Sequence, residues 1–155
     1  MNQRPQETYG GKGASSFVDD GDNIILDSGS TVTGLASNLQ GSKDQNIVTK
    51  AINIALMLGA ENSDQVLLVG GQLKLPTLSL TGDLGIGMLE GIHFDKLFLA
   101  ACGLSLKAGL TFPSLSDLEI KRRMIEGRDC LSPGWLIQNR EDSVRFPLSP
   151  AMSIS

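Results

Sequence analysis

Aromatic residues are scarce: five Phe, one Trp and one Tyr in 155 positions. A core built from this chain is therefore aliphatic, and stacking platforms for nucleobases are not expected. Histidine occurs once and cysteine only twice, at Cys102 and Cys130. That excludes a disulfide framework and leaves too few ligands for a structural zinc site. Positive charge is also short. Thirteen Lys+Arg face seventeen Asp+Glu, a net charge of −4, the wrong sign for a surface that grips phosphate backbones. No apolar run reaches the ~18–20 residues of a membrane span. The start, Met1-Asn2-Gln3-Arg4-Pro5, lacks the apolar core of a signal peptide. A reducing cytoplasm is the expected compartment, with no membrane, metal or cofactor expected.

What is present is ordinary for a globular protein of one domain: 41% hydrophobic and 19% charged residues. Residues 1–20 read as a flexible lead-in. Asn23-Ile24-Ile25-Leu26 is a short continuous apolar run, the pattern of a strand buried on both faces. After Asp27-Ser28-Gly29-Ser30-Thr31, the residues Val32, Leu35, Ala36 and Leu39 recur at helical spacing, and Gly41 is a stop signal. The unit then repeats. Asn46-Ile47-Val48-Thr49 predicts a strand, with Thr49 as a candidate cap for a helix over Ala51–Leu58 that ends at Gly59. Val66-Leu67-Leu68-Val69 predicts a third strand, followed by Gly70-Gly71 and a Pro-bearing stretch at Leu75-Pro76-Thr77. A helix is expected from Asp83 to Glu90, a fourth strand over Lys96–Ala100, a loop or short hairpin over 101–113, and a charged helix from Ser114 or Ser116 to Glu126.

Alternating strands and helices at this spacing imply right-handed crossovers and a mostly parallel sheet. Ligands of such sheets bind at the carboxyl ends of the strands. That rule selects the loops after Leu26, Val48, Val69 and Ala100. The first offers an anion site, because a helix start presents unpaired N–H groups, Gly29 lets the main chain approach, and three hydroxyls add donors. Ser30 or Thr31 as a simple helix cap is the equal alternative. The loop is not a Walker motif, since the Gly-Lys-Ser/Thr ending is missing. Gly70-Gly71 reads as a tight turn or as a place of close ligand approach. Gly85-Ile86-Gly87 is rejected as a dinucleotide fingerprint, for it lies in a predicted helix with no strand before it. His93 and Asp95 fall at the amino end of the sheet, opposite the expected ligand edge, so a structural or surface histidine is read there rather than a catalytic dyad. Asp117 and Lys121 share a helix face at i, i+4, whereas Glu119 points elsewhere; salt-bridged solvation is the simplest account of them, and of Arg122 and Arg123.

Residues 128–155 hold three Pro and five Ser and no run of four apolar residues. Trp135-Leu136-Ile137 is the best short candidate for a strand, but no convincing strand returns after the last helix. The tail reads as loosely packed and divergent.

Taken in order, several segments resemble the sugar-phosphate sensor domain of DeoR-type bacterial repressors. They are Asp20–Thr31, Asn46–Thr49, Asn53–Leu56, Leu67–Leu73, Leu80–Asp83, Phe94–Leu99, Gly109–Thr111 and Glu119–Glu126. The resemblance implies a Rossmann-like three-layer α/β fold of the isomerase/CoA-transferase-like kind, similar to ribose-5-phosphate isomerase and glucosamine-6-phosphate deaminase. It implies a phosphorylated-sugar effector at the carboxyl edge of the sheet and a homo-oligomer. By position, Asp27, Ser28, Gly29, Ser30 and Thr31 form the phosphate loop. Thr49, Gly70 and Gly71 line the pocket, and Gly103, Thr111, Asp117 and Lys121 close it. The chain departs from the family at Lys50, where Asn is frequent; a lysine there changes pocket polarity or adds a phosphate contact. No winged helix-turn-helix fits residues 1–20, so DNA is expected as a partner only through a module outside this chain. The family's next strand and Asp-Ser-Ser-Lys-type loop are replaced by Cys130-Leu131-Ser132-Pro133-Gly134-Trp135, so the sensor is read as incomplete, spanning 21–127, and truncated or shifted in frame near Gly127. Related isomerases carry an Asp-rich loop after the fourth strand, and Ala100-Ala101-Cys102-Gly103 offers no acid there. Binding without catalysis is expected; an isomerase-like enzyme and a non-functional remnant are the alternatives.

Overall fold

The computed structural model describes residues 15–16, 18–41, 44–61, 65–101, 103–105, 109–111, 115–126, 134–138 and 143–146. The apolar run Asn23–Leu26 forms β1, followed by α1 (Ser30–Leu39), β2 (Asn46–Thr49), α2 (Ile52–Glu61) and β3 (Gln65–Leu68). These strands pair in parallel, with Ile24 opposite Ile47 and Ile47 opposite Val66. A hairpin of β4 (Gln72–Lys74) and β5 (Ser79–Thr81) comes next, then α3 (Asp83–Leu89) and β6 (Lys96–Ala101). β6 lies parallel to the free edge of β1. A second hairpin, β7 (Gly103–Ser105) with β8 (Gly109–Thr111), precedes α4 (Leu115–Glu126). β9 (Gly134–Gln138) runs parallel to β6, and β10 (Ser143–Phe146) antiparallel to β9. The large sheet has the order β10-β9-β6-β1-β2-β3.

The sheet is covered on both faces, as an all-parallel centre requires. Successive side chains of a strand point to opposite faces, and β1 divides its residues accordingly. Ile24 and Leu26 join Phe98 and the apolar stripes of α1 and α2 (Val32, Leu35, Ala36, Leu39, Ile54, Leu58) in one cluster. Ile25 joins Val48, Leu97, Leu99, Leu89 of α3, and Ile120 and Met124 of α4 in the other. The result is three layers, helix–sheet–helix, with the core on either side of β1.

Three local expectations are corrected, and the unassigned stretch around Pro76 gains a structure. A strand does return after α4. β9 pairs Leu97 to Gly134 and Ala101 to Gln138, because a ladder is a main-chain property that three apolar residues flanked by Gly134 and Gln138 can enter. α2 runs through Gly59 to Glu61. Gly59 has no positive φ and open space around it, so it is not the left-handed stop that glycine often provides. The stretch around Pro76 is the turn of a hairpin whose two strands have three residues each, too short to leave a periodic signal. A strand, β5, therefore does precede the Gly85-Ile86-Gly87 helix. The glycines nevertheless sit inside α3, where a Cβ on Gly85 would approach the Gly70 carbonyl oxygen and Val69 Cγ1, so helix packing against the end of β3 is what Gly85 serves.

At the amino edge, the Asp95 carboxylate accepts from Asn23 N at 2.8 Å, and His93 is exposed on the surface. Lys96 donates to both Asp19 and Asp22. Burial opposes its charge, but the hydrogen bonds and charges of Asp22 and Asp19 outweigh burial and raise its pKa above 10.5.

Phe98 lies fully within the core and Leu84 is 79% exposed, so urea denaturation should find Phe98→Ala destabilising by about 3–5 kcal/mol and Leu84→Ala close to neutral. Because the raised pKa belongs to the folded state, the contribution of Lys96 is complete below 10.5 and is lost as pH rises through the folded value. The stability gap between wild type and Lys96→Met should accordingly shrink in that alkaline range and stay constant near neutrality.

Candidate functional site

The parallel strands β1, β2, β3 and β6 all end at one edge, which brings the loops after Leu26, Thr49, Leu68 and Ala101 together. The chain steps from β1 to β2 to β3 in one direction, and β6 is added on the other side of β1. The switch point lies between β1 and β6, where neighbouring connections diverge, the position at which open parallel sheets generally form a ligand crevice. Gly29 stands there. A Cβ on it would be 3.7 Å from Ala100 Cβ, and its φ of +119° is one that L side chains rarely adopt.

Asp27 holds the crevice together. Its amide donates to the Phe98 carbonyl at 3.0 Å, the last main-chain rung between β1 and β6. Beyond that rung its side chain takes over. Oδ2 accepts from Ala100 N at 3.0 Å and Oδ1 accepts from Ser28 N at 2.8 Å. Lys121 of α4 places Nζ 3.2 Å from Oδ2 and donates to the Ala100 carbonyl at 2.8 Å. Lys50 places Nζ 3.7 Å from Oδ1. Asp27, Lys50 and Lys121 are 0%, 1% and 6% exposed. A buried carboxylate costs several kcal/mol unless cations and N–H donors surround it, and here both kinds converge. Sequence reading placed Asp27 in the phosphate loop as a lining residue, took Lys121 from its spacing as part of a solvated face, and by the family resemblance set Lys50 and Lys121 at the same pocket. The structure turns the Asp27 side chain inward onto two lysines, and buries Lys121 with it. No local spacing signals this, because the three residues come from three different elements.

The loop beyond Asp27 is open. Ser28 is half-buried, and Gly29 and Ser30 are exposed. Gly29 is the N-cap of α1, and no side chain among the described residues caps that helix. The capping role considered for Ser30 or Thr31 is therefore not taken up. α2 differs. Its first amide, Ile52 N, donates to the Leu78 carbonyl at 2.8 Å, and Leu80 N donates to the Lys50 carbonyl at 2.8 Å, so the β4–β5 hairpin closes that helix start. Thr49 is buried, with its hydroxyl accepting from Ala51 N at 3.1 Å, one residue ahead of the helix it was expected to cap.

Gly70 and Gly71 follow β3 at the same edge. The Gly70 amide meets Met88 Sδ at 3.1 Å. Gly71 has φ +147°, and a Cβ there would come within 2.4 Å of the Thr81 carbonyl oxygen, so close main-chain packing accounts for it. Gly103 lies opposite Thr111 in the β7–β8 hairpin, directly after β6. The side chains of Thr111 and Asp117 lie outside the described residues. Glu119, Arg122 and Arg123 are exposed, as a solvated face requires. Two residues outside the expected set adjoin the loop. Thr33 donates its hydroxyl to the Gly29 carbonyl at 2.7 Å, and Asn53 of α2 donates to the Thr33 hydroxyl at 3.0 Å. Among the described residues no group of three His, Cys, Asp or Glu side chains could hold a metal ion, and no helix is long and apolar enough to cross a membrane.

The sequence matches the family described as the DeoR C-terminal sensor domain over residues 10–130. It is 33% identical over 111 residues to the HTH-type transcriptional regulator GolR of Listeria innocua, covering 72% of this chain and 44% of that protein. It is 34% identical over 116 residues to the HTH-type transcriptional repressor GlcR of Bacillus subtilis, covering 75% and 44%. The chain thus spans less than half the length of these curated relatives. Among solved structures, ribose 5-phosphate isomerase from Plasmodium falciparum superposes with a TM-score of 0.55 at 15% identity, over 88% of this chain and 50% of that one. A D-ribose-5-phosphate isomerase in complex with phospho-erythronic acid gives 0.57 at 15% identity, over 89% and 52%. At that identity the likeness establishes the fold, Rossmann-like α/β.

Removing the Asp27 carboxylate leaves two buried ammoniums without it, so Asp27→Ala should lower unfolding free energy by about 3–5 kcal/mol. Ser30→Ala should change it by less than about 0.5 kcal/mol, since that hydroxyl caps nothing, whereas loss of a genuine cap costs about 1 kcal/mol. Equal losses in the two variants would contradict this assignment of roles.

Proposed function

The chain belongs to the DeoR C-terminal sensor-domain family, and from that premise we propose that it binds a phosphorylated sugar as a regulatory effector at the crevice between β1 and β6. The observation that carries this reading is the start of α1, uncapped by any side chain and preceded by Gly29 at φ +119°. Its first-turn amides and the helix dipole suit a phosphate dianion. The Ser28 and Ser30 hydroxyls and the Thr31 amide complete the cradle. Asp27 is not a phosphate ligand in this proposal. It holds Lys50 and Lys121 beneath the loop, where their positive charge favours an anion. The sugar then extends along the strand ends toward Thr49, Gly70 and Gly71, with Gly103, Thr111 and Asp117 on the opposite side.

Turnover is not part of the proposal. The curated relatives carry the names of transcriptional regulators and repressors, and isomerisation requires a carboxylate base over the carbon to be deprotonated. The sequence at the end of β6 and just beyond it, Ala100-Ala101-Cys102-Gly103, supplies none. The isomerase likeness of the fold supports a second reading, a sugar-phosphate isomerase. It is tested by following isomer formation from pentose and hexose phosphates by NMR, and any turnover would reverse the ranking. In the sensor reading, the effector biases the arrangement of subunits in a homo-oligomer and so the DNA-binding module that segments outside this chain would carry.

Calorimetry with a panel of sugar phosphates and their unphosphorylated parents should find at least one phosphate ester that binds while its parent does not. Ser28→Asp places a like charge in the cradle and should weaken that ester by about tenfold or more (~1.4 kcal/mol) without unfolding the chain. Unchanged affinity in the variant, or equal binding of ester and parent, would count against the site.

A further inference from the structure

We propose that Asn53 and Thr33 are positioning residues for the anion cradle, acting through the Gly29–Ser30 peptide; this rests on the phosphate site at the start of α1 proposed above. Three hydrogen bonds define the arrangement. The Gly29 carbonyl accepts from Thr33 N at 2.9 Å and from the Thr33 hydroxyl at 2.7 Å. The Thr33 oxygen in turn accepts from Asn53 Nδ2 at 3.0 Å. A threonine hydroxyl that bonds the carbonyl four residues back is common in helices. The contribution from Asn53 is what goes beyond that habit, because it comes from another helix and fixes the direction of the hydroxyl proton.

The consequence falls on Ser30. Its N–H shares one planar trans unit with the Gly29 carbonyl and points the opposite way. Holding the carbonyl down along α1 therefore holds the Ser30 N–H outward, toward the crevice. Glycine at φ +119° has the torsional freedom to turn that peptide over, and the pair of donors on its carbonyl opposes this. Each donor in the chain also polarises the next, so density drawn onto the Gly29 oxygen makes the Ser30 N–H a better donor to an anion. Asn53 thus acts at two removes and Thr33 at one.

The test is an amide NMR titration of the full chain with inorganic phosphate, following Ser30 and Thr31. It compares wild type with Thr33→Val, Thr33→Ser, Asn53→Ala and the Thr33→Val/Asn53→Ala double variant, each confirmed folded by its dispersed spectrum and thermal melt. Expected are about tenfold weaker phosphate binding for Thr33→Val and about threefold for Asn53→Ala, with wild-type affinity in Thr33→Ser. The double variant should be no weaker than Thr33→Val, since Asn53 works only through the hydroxyl. If Thr33→Val does not fold, Asn53→Ala against wild type and Thr33→Ser carries the comparison. Wild-type affinity in Asn53→Ala, or an equal additional loss on adding it to Thr33→Val, would overturn the inference while leaving the phosphate site standing. A wild type whose Ser30 and Thr31 amides do not respond to phosphate overturns the site itself, and the inference with it.

Discussion

A carboxylate sealed from water is tolerated only where its lone pairs are matched, and Asp27 meets that condition at the point where β1 and β6 part. Two main-chain amides, Ser28 N and Ala100 N, and two ammoniums, Lys50 and Lys121, converge on it. The side chain continues the bridging that the main-chain ladder gives up after the Asp27–Phe98 rung. The strands can then separate with Ser28 N and Ala100 N still paired. The same interaction ties α4 to the sheet, since Lys121 bonds both Asp27 and the Ala100 carbonyl. Loop geometry, helix placement and local charge at the ligand edge therefore share one cause.

The topology supports the proposal that a ligand binds at that edge. Two helices begin near it with different fates. The first amide of α2 is taken by the Leu78 carbonyl of the β4–β5 hairpin, while α1 begins at Gly29 with no side-chain cap among the described residues. The first turn of α1 therefore keeps amides that the first turn of α2 has partly spent. Phosphate recognition by main-chain amides asks little of side-chain identity, which suits a scaffold found both in sugar-phosphate isomerases and in a family of sensor domains.

Much of the framework was legible in the sequence because it depends on periodicity. The stripe Val32, Leu35, Ala36, Leu39 faces the core as its spacing requires, and the runs Ile24–Leu26, Ile47–Thr49 and Leu97–Leu99 are the buried strands. Strand polarity alone located the edge at which the loops after β1, β2, β3 and β6 gather. What escaped reading was non-local or short. The family resemblance named Asp27, Lys50 and Lys121 for one site, but their pairing with one another joins three elements and has no local signal, and by spacing alone Lys121 looked like one more charge on a polar helix. The β4–β5 hairpin has three-residue strands around Pro76, below the length at which alternation can be counted. β9 was hidden in a Ser- and Pro-rich tail, because its pairing with β6 is a main-chain matter that composition does not report. Gly59 misled for the converse reason: glycine often ends a helix by adopting the left-handed conformation, and Gly59 does not adopt it.

The most direct measurement is a through-hydrogen-bond NMR correlation between 31P of a bound sugar phosphate and backbone 15N nuclei of the protein. A phosphate cradled at the start of α1 predicts correlations to the amides of Ser30 and Thr31. Bound ester with correlations only to amides elsewhere, or with none at that helix start, would contradict the account.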